Sequence, residues 1–185
     1  MTGRHYEEEV GPVTRTKRAT VIATGALIGA LLLGGCAPRP GTAAVVDGET
    51  ITTAEVDEAL ADLAPVLATA SATNVVSLLI ISPSFLAAAD AAGFGVTEEA
   101  GRDYIVSAGL VTEAEAAELS GGALEIVRFA VMQGSVTTEA HVAVLDEAAA
   151  RLQEAEVELN PRFGTWDPQS LTATALDTPW IVPGG

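Results

Sequence analysis

The chain of 185 residues contains one cysteine, Cys36, one lysine, Lys17, and two histidines, His5 and His141. A single cysteine excludes any disulfide within the chain, so the fold has to be held by packing alone. With His141 the only histidine beyond the first 35 residues, no second imidazole or free thiol completes a transition-metal site, and no metal or other cofactor is expected. The serines and threonines likewise lack a positioned His or Lys to act as base, which argues against nucleophilic catalysis. Cations are scarce: nine Lys and Arg stand against 25 Asp and Glu, for a net charge of −16. Such a balance disfavours binding to nucleic acid or anionic lipid head groups, because phosphate contacts need clustered Lys or Arg.

What is present is a segmented chain. Ala19 to Gly35 is an uncharged apolar run, preceded by Arg15, Lys17 and Arg18 and followed by Cys36. A basic region, an apolar region, Leu33 three residues before the cysteine and Gly34-Gly35 directly before it form the layout of a bacterial secretory signal ending in a lipobox. The expectation is a signal peptide over 1–35, cleavage between Gly35 and Cys36, and lipidation of the Cys36 thiol. Two acyl chains suffice for stable anchoring to a bilayer, where one is marginal. The alternative is an uncleaved signal anchor, since 17 residues at 1.5 Å rise reach roughly 26 Å against a hydrocarbon core of about 30 Å. Either arrangement places the remaining chain at the extracytoplasmic face of the cell membrane. Residues 1–12, with Glu7 to Glu9 where a basic region belongs, suggest a start annotated too early, with Val10 or Val13 as alternatives. Removing 1–35 takes away four cations and three anions, leaving five against 22, or −17.

Residues 36–42 read as the lipidated cysteine and a short Pro/Gly tether, and 43–160 as one helical domain. Asp47-Gly48 between short β-prone arms signals a hairpin of Ala43 to Val46 with Glu49 to Ile51. Thr52 and Glu55 form a capping box for a helix with Val56, Ala59, Leu60, Leu63 and Leu67 on one face, kinked or ended at Pro65. The run Val75 to Ile81 reads as a buried helix that restarts at Ser82-Pro83 and continues to Ala92. Thr97 caps the next helix, whose apolar face is Tyr104, Ile105 and Val106. Thr112 with Glu115 repeats the capping box, and Gly121-Gly122 breaks the chain before Ala123 to Met132. Thr138 to Glu154 is the most regular helix, striped by Val142, Leu145, Ala149 and Leu152. Glu156 to Asn160 then switches to the period of a strand. Residues 161–185, with Trp166 and Trp180, read as an extended, irregular C-terminal tail.

The ordered set of phrases resembles a known family. Ala44-Val-Val-Asp-Gly-Glu-Thr-Ile-Thr52, the capped helix Thr52-Thr-Ala-Glu-Val-Asp-Glu-Ala-Leu60, and Phe85-Leu-Ala-Ala-Ala-Asp-Ala-Ala-Gly-Phe-Gly-Val-Thr-Glu-Glu99 are similar to the N-terminal domain of the SurA, PrsA and trigger-factor-like chaperone group. The family phrase carries Asn where this chain has Asp47 and Ile where it has Phe94. Asn160-Pro-Arg-Phe-Gly-Thr-Trp-Asp167 resembles the closing phrase of short actinobacterial lipoproteins of the group. The resemblance implies a mainly α, SurA-N-like domain whose N-terminal β-hairpin is joined by a C-terminal strand at Val157 to Asn160. It also implies a non-catalytic holdase for unfolded or newly secreted client proteins. The parvulin prolyl isomerase insert of catalytic members has no room here, since the segment from about 109 to 154 reads as plain helices. No isomerase activity is therefore expected, and no catalytic residue is assigned.

Other readings rank lower. A structural or adaptor lipoprotein would use the same fold to dock one cell-envelope partner. A hydrolase built on paired carboxylates lacks any spacing that singles out a pair: Glu98-Glu99 and Asp146-Glu147 read as helix-start and solvated charges. Gly93-Phe94-Gly95 lacks the strand before it and the spacing of a phosphate loop. Phe85, Phe94, Tyr104, Phe129 and Met132 are residue types suited to an adaptable client groove, but in a chain with 4% aromatics they are first expected in the core. His141, beside Glu139 on a regular helix, reads as a packing or surface residue.

Overall fold

The computed structural model describes residues 40–67 and 70–176. The lipobox around Cys36 and the distal Trp180 lie outside the described residues.

The first element is the hairpin of β1 (Thr42–Val46) and β2 (Glu49–Thr52). Asp47 and Gly48 take φ of 48° and 88°, so both central residues occupy the left-handed region that a type I′ turn requires. β3 (Val157–Leu159) pairs antiparallel with the other side of β1, giving the order β2-β1-β3. Two side chains pin the ends of that long-range pairing. Asp47 Oδ1 accepts the Glu156 N–H at 2.9 Å, and Asn160 Nδ2 donates to the Thr42 carbonyl at 2.8 Å. The fold also begins earlier than a tether over 36–42 implies, because the Gly41 carbonyl already accepts the Thr53 N–H at 2.8 Å.

α1 (Thr53–Leu63) starts at the Thr52–Glu55 capping box, with the Glu55 carboxylate 2.6 Å from the Thr52 N–H. Val56, Ala59 and Leu63 are buried as the spacing requires, whereas Leu67 is turned outward. The helix stops at Leu63, before Pro65, and a residue four positions beyond that end no longer shares its face.

α2 (Ala72–Ala91) is the centre of the molecule, packed by α1, by α5 (Gly121–Gly134), by α6 (Glu139–Glu154) and by β5 (Thr172–Thr174). Its 20 residues are long and apolar enough to cross a membrane by length and composition. Val75, Val76, Leu79 and Ile80 are at most 6% exposed within the domain, which makes it the core helix. The expected restart at Ser82-Pro83 does not occur. The helix runs unbroken through Pro83, and Ser82 is a buried helical residue. An interior proline costs about 3 kcal/mol, and the surrounding packing holds the helix together across it.

α3 (Glu98–Ser107) and α4 (Glu113–Glu118) carry the expected caps at Thr97 and Thr112. In α3 Ile105 is buried and Val106 half-buried, but Tyr104 is 54% exposed, contrary to its expected place on the apolar face. Gly121-Gly122 does not break the chain; it forms the first turn of α5, capped by Ser120. A Cβ at Gly122 would sit 3.0 Å from Leu79 Cδ2 and 3.6 Å from Ala59 Cβ, so the missing side chain lets α5 approach α1 and α2 closely. In α6 Leu152 is buried and Leu145 half-buried as expected, but Ala148 rather than Ala149 is enclosed and Val142 is exposed.

The largest departure from the sequence reading is the segment after β3. Residues 161–174 are not an extended tail: a 3-10 turn at Pro161–Phe163 leads into a hairpin of β4 (Thr165–Asp167) and β5. Phe163 is among the most deeply buried side chains of the domain. The Ala173 N–H donates to Ser77 Oγ on α2 at 2.8 Å, which ties this hairpin to the core helix. The packed body therefore extends well past residue 160.

Candidate functional site

Two surface features stand out from the packed body. The first is a cleft of about 400 Å3 between the hairpin, α2 and the start of α5. Val46, Ile51, Leu79, Ile80 and Pro83 give it an apolar floor, and Asp47, Glu49, Glu55 and Glu125 bring four carboxylates to its lining. No arginine of the described residues lines it. The arginines among the described residues are engaged elsewhere: Arg102 lies 3.3 Å from Glu98, Arg128 donates to the Val96 carbonyl at 2.7 Å and approaches Asp90, Arg151 pairs with Glu147, and Arg162 lies over the Phe163 ring.

Within this cleft Glu55 is occupied by its cap, whereas Glu125, on the first turns of α5, has no hydrogen bond or ion pair among the described residues. Burial pushes the Glu125 carboxyl above its ordinary range; the charge of Arg128 works against this, and that of Glu49 adds to it. Pro83 has no N–H to give, so the Leu79 carbonyl at the cleft wall loses its usual helical donor.

The second feature is a shallow apolar hollow of about 80 Å3 where the end of α1, α3 and α5 meet. Only Leu, Val, Ile, Ala and Tyr side chains line it. Leu67, Tyr104 and Leu110 stand around it at 39%, 54% and 42% exposure. Scattered single apolar residues on a surface need no explanation; these three are gathered around one hollow, which makes it the candidate apolar contact surface.

The residues singled out in the sequence are distributed differently from a single groove. Phe129 and Met132 are buried in a second core cluster with Leu86, Ala89 and Val96, and half-buried Phe85 and Phe94 pack on it. Phe85 meets Phe129 edge-on with ring centroids 5.6 Å apart. Phe94 stacks on His141 at 4.1 Å, and His141 Nδ1 lies 3.3 Å from the Ser135 carbonyl, so this histidine acts in packing. Only Tyr104 reaches a candidate surface. Glu98 and Glu99 stand exposed in the first turn of α3, and Asp146 and Glu147 are exposed on α6, in keeping with their reading as helix-start and solvated charges. Among the described residues no group of three or more His, Cys, Asp or Glu is placed to hold a metal ion. Gly35 and Cys36, the expected cleavage and lipidation residues, lie outside the described residues.

Sequence reasoning missed Glu125, Gly122 and Thr50 as cleft residues and Leu67 and Leu110 as a patch. The proline at 65 was the available signal for Leu67, since a helix that ends there cannot keep Leu67 on its buried stripe. Nothing local marks Glu125, which becomes notable only because the hairpin lies across from it. Compared with protein-family models, curated proteins and solved structures, the chain matches none.

Proposed function

We propose that this chain is a lipid-anchored, extracytoplasmic protein-binding module that acts as a non-catalytic, chaperone-like holdase for unfolded or secreted proteins. The observation that carries the reading is the apolar hollow ringed by Leu67, Tyr104 and Leu110. A holdase needs exposed apolar area to compete with a client's own collapse, at roughly 25 cal/mol per Å2 buried. The strongly acidic surface keeps such a module soluble and favours basic clients. Support from the sequence comes from the lipobox ending at Cys36 and from the SurA-N-like phrases. The three-stranded sheet, with a C-terminal strand beside the opening hairpin, is the arrangement that resemblance implies.

The reading is tested with the full chain reconstituted in lipid nanodiscs, with empty nanodiscs as blank. Suppression of aggregation of a reduced, unrelated secreted protein is measured at stoichiometric ratio, beside a peptide prolyl-isomerisation assay. The expected result is suppression without isomerisation, lost in a Leu67→Ser/Tyr104→Ser/Leu110→Ser variant that still folds. Absence of suppression at several-fold excess overturns the reading.

A second reading, an adaptor lipoprotein docking one cell-envelope partner, draws on a different observation. The acid-lined cleft has a defined shape and charge, which suits one partner better than a range of unfolded clients.

A further inference from the structure

We propose that the cleft between β2, α2 and α5 receives an extended segment of a partner protein in which arginine or lysine alternates with aliphatic residues. The inference stands on the cleft alone and is independent of the apolar hollow at Leu67, Tyr104 and Leu110.

The first ground is the open edge of the sheet. β2 is an outer strand in the order β2-β1-β3. Beside the two-residue turn, Val46 and Glu49 exchange backbone hydrogen bonds with each other, and so do Ala44 and Ile51 two positions on. The backbone groups of the intervening pair, Val45 and Thr50, therefore point away from each other. On the side of β1 this is visible in the pairing with β3, where Asp47 N–H donates to the Glu156 carbonyl and Asn160 N–H to the Ala43 carbonyl. On the side of β2 the N–H and C=O of Thr50 face the lip of the cleft with no strand beside them among the described residues. An incoming extended chain can satisfy both groups by adding a strand.

The second ground is the chemistry of the lining. Ile51, Leu79 and Pro83 offer apolar contact, while Glu49 and Glu125 supply negative charge with no arginine of the described residues in the lining. Glu125 is half-buried and lacks a hydrogen-bonding partner among the described residues, so its carboxylate is free to receive a cation. The Leu79 carbonyl, deprived of its donor by Pro83, is a further acceptor on the same wall. Every charged side chain in the lining is thus an anion, and the Leu79 carbonyl adds an acceptor. The N-terminus of α5 would otherwise attract an anion, but four surrounding carboxylates repel one. Alternation follows from strand geometry, in which successive side chains point to opposite faces: a cleft-facing arginine or lysine recurs every second position, its aliphatic stem lying along Ile51, Leu79 and Pro83, and the aliphatic residues between turn to the other side.

The test uses the full chain in nanodiscs and fluorescein-labelled extended peptides read by anisotropy. A peptide alternating valine with arginine is expected to bind, and its counterpart alternating valine with glutamate is not. Raising salt from about 0.1 M to about 1 M cuts the Debye length from ~10 Å to ~3 Å and should weaken the complex. Glu49→Gln/Glu125→Gln should weaken it about tenfold or more and flatten the salt response. A peptide N-methylated at alternate positions leaves the protein unchanged and should lose binding if strand addition is required. The proposal is overturned if the arginine peptide does not bind, if the glutamate peptide binds equally, or if the Gln variant and the N-methylated peptide behave as their parents. Loss of aggregation suppression in the Leu67/Tyr104/Leu110 variant with peptide binding intact would separate the two surfaces. Suppression without any binding of the arginine peptide would sink this inference and leave the holdase reading standing.

Discussion

Two serines five positions apart on α2 are expected to respond to alanine substitution with opposite signs. Both are buried, Ser77 at 7% and Ser82 at 0% exposure. Ser77 Oγ donates to the Thr73 carbonyl at 2.8 Å and accepts the Ala173 N–H at 2.8 Å, so it joins the core helix to β5. Ser77→Ala leaves the buried Ala173 N–H without a partner, at a cost of roughly 1–3 kcal/mol. Alanine's better helix propensity returns at most about 0.7 kcal/mol. Ser82 Oγ is fully buried and has no hydrogen-bond partner among the described residues. Ser82→Ala removes that desolvation penalty and gains propensity, so stability should rise by about 1 kcal/mol. For a domain near 150 residues each kcal/mol moves Tm by about 2–4 °C. Urea and thermal unfolding followed by circular dichroism give both values, and hydrogen exchange gives a local check: the Ala173 amide should exchange faster in Ser77→Ala only. Equal signs for the two variants, or a loss above about 1 kcal/mol in Ser82→Ala, would refute this account of α2 and place a hidden acceptor beside Ser82.

Glu125→Gln should stabilise the protein near neutral pH. The folded carboxyl titrates above its unfolded value of 4.5, so the parent gains stability as pH falls from the folded pKa toward 4.5 while the Gln variant does not. Tm profiles of the two should therefore converge near pH 4.5, and parallel profiles would show that Glu125 is not desolvated. Glu115 and Asp167 titrate below their ordinary values through hydrogen bonds from Thr112 and from Ser170, so their contributions are present above the unfolded pKa and fade only as pH falls further. Gly122→Val should cost about 1–3 kcal/mol by overpacking against Leu79 and Ala59, measurable as a lower urea midpoint at unchanged m. Cys36→Ser should move the chain from the membrane fraction to the soluble fraction or leave it as an uncleaved precursor; unchanged membrane retention and unchanged mass would show that the thiol carries no lipid.

The features legible in the sequence are those decided within four or five residues. Asp47-Gly48 determines a type I′ turn because both residues tolerate positive φ. The pairs Thr52–Glu55 and Thr112–Glu115 determine helix starts because each side chain reaches a backbone N–H three residues away. The strand at Val157–Leu159 was legible through its alternation and through the family resemblance, although its partner is more than a hundred residues distant.

Where local rules failed, a distant partner had decided the matter. Pro83 signals a helix boundary on its own, yet α2 is held by α1, α5 and α6 and continues through it. Gly121 and Gly122 read as a break, but open a helix capped by Ser120, where the bare Cα of Gly122 packs closely against Leu79. The hairpin of β4 and β5 carries weak strand signals and exists through Phe163, Ala173 and the bond to Ser77. The candidate surfaces belong to the same class. Glu125 meets Glu49 only when the hairpin folds over α5, and Leu67, Tyr104 and Leu110 become one patch only when α1, α3 and α5 pack. Sequence alone determined the local turns, caps and apolar faces, since their energetics are contained within a turn of backbone. Tertiary structure decided helix continuity, the closing hairpin and both surfaces, because each depends on burial and charge contributed by segments far apart in the chain.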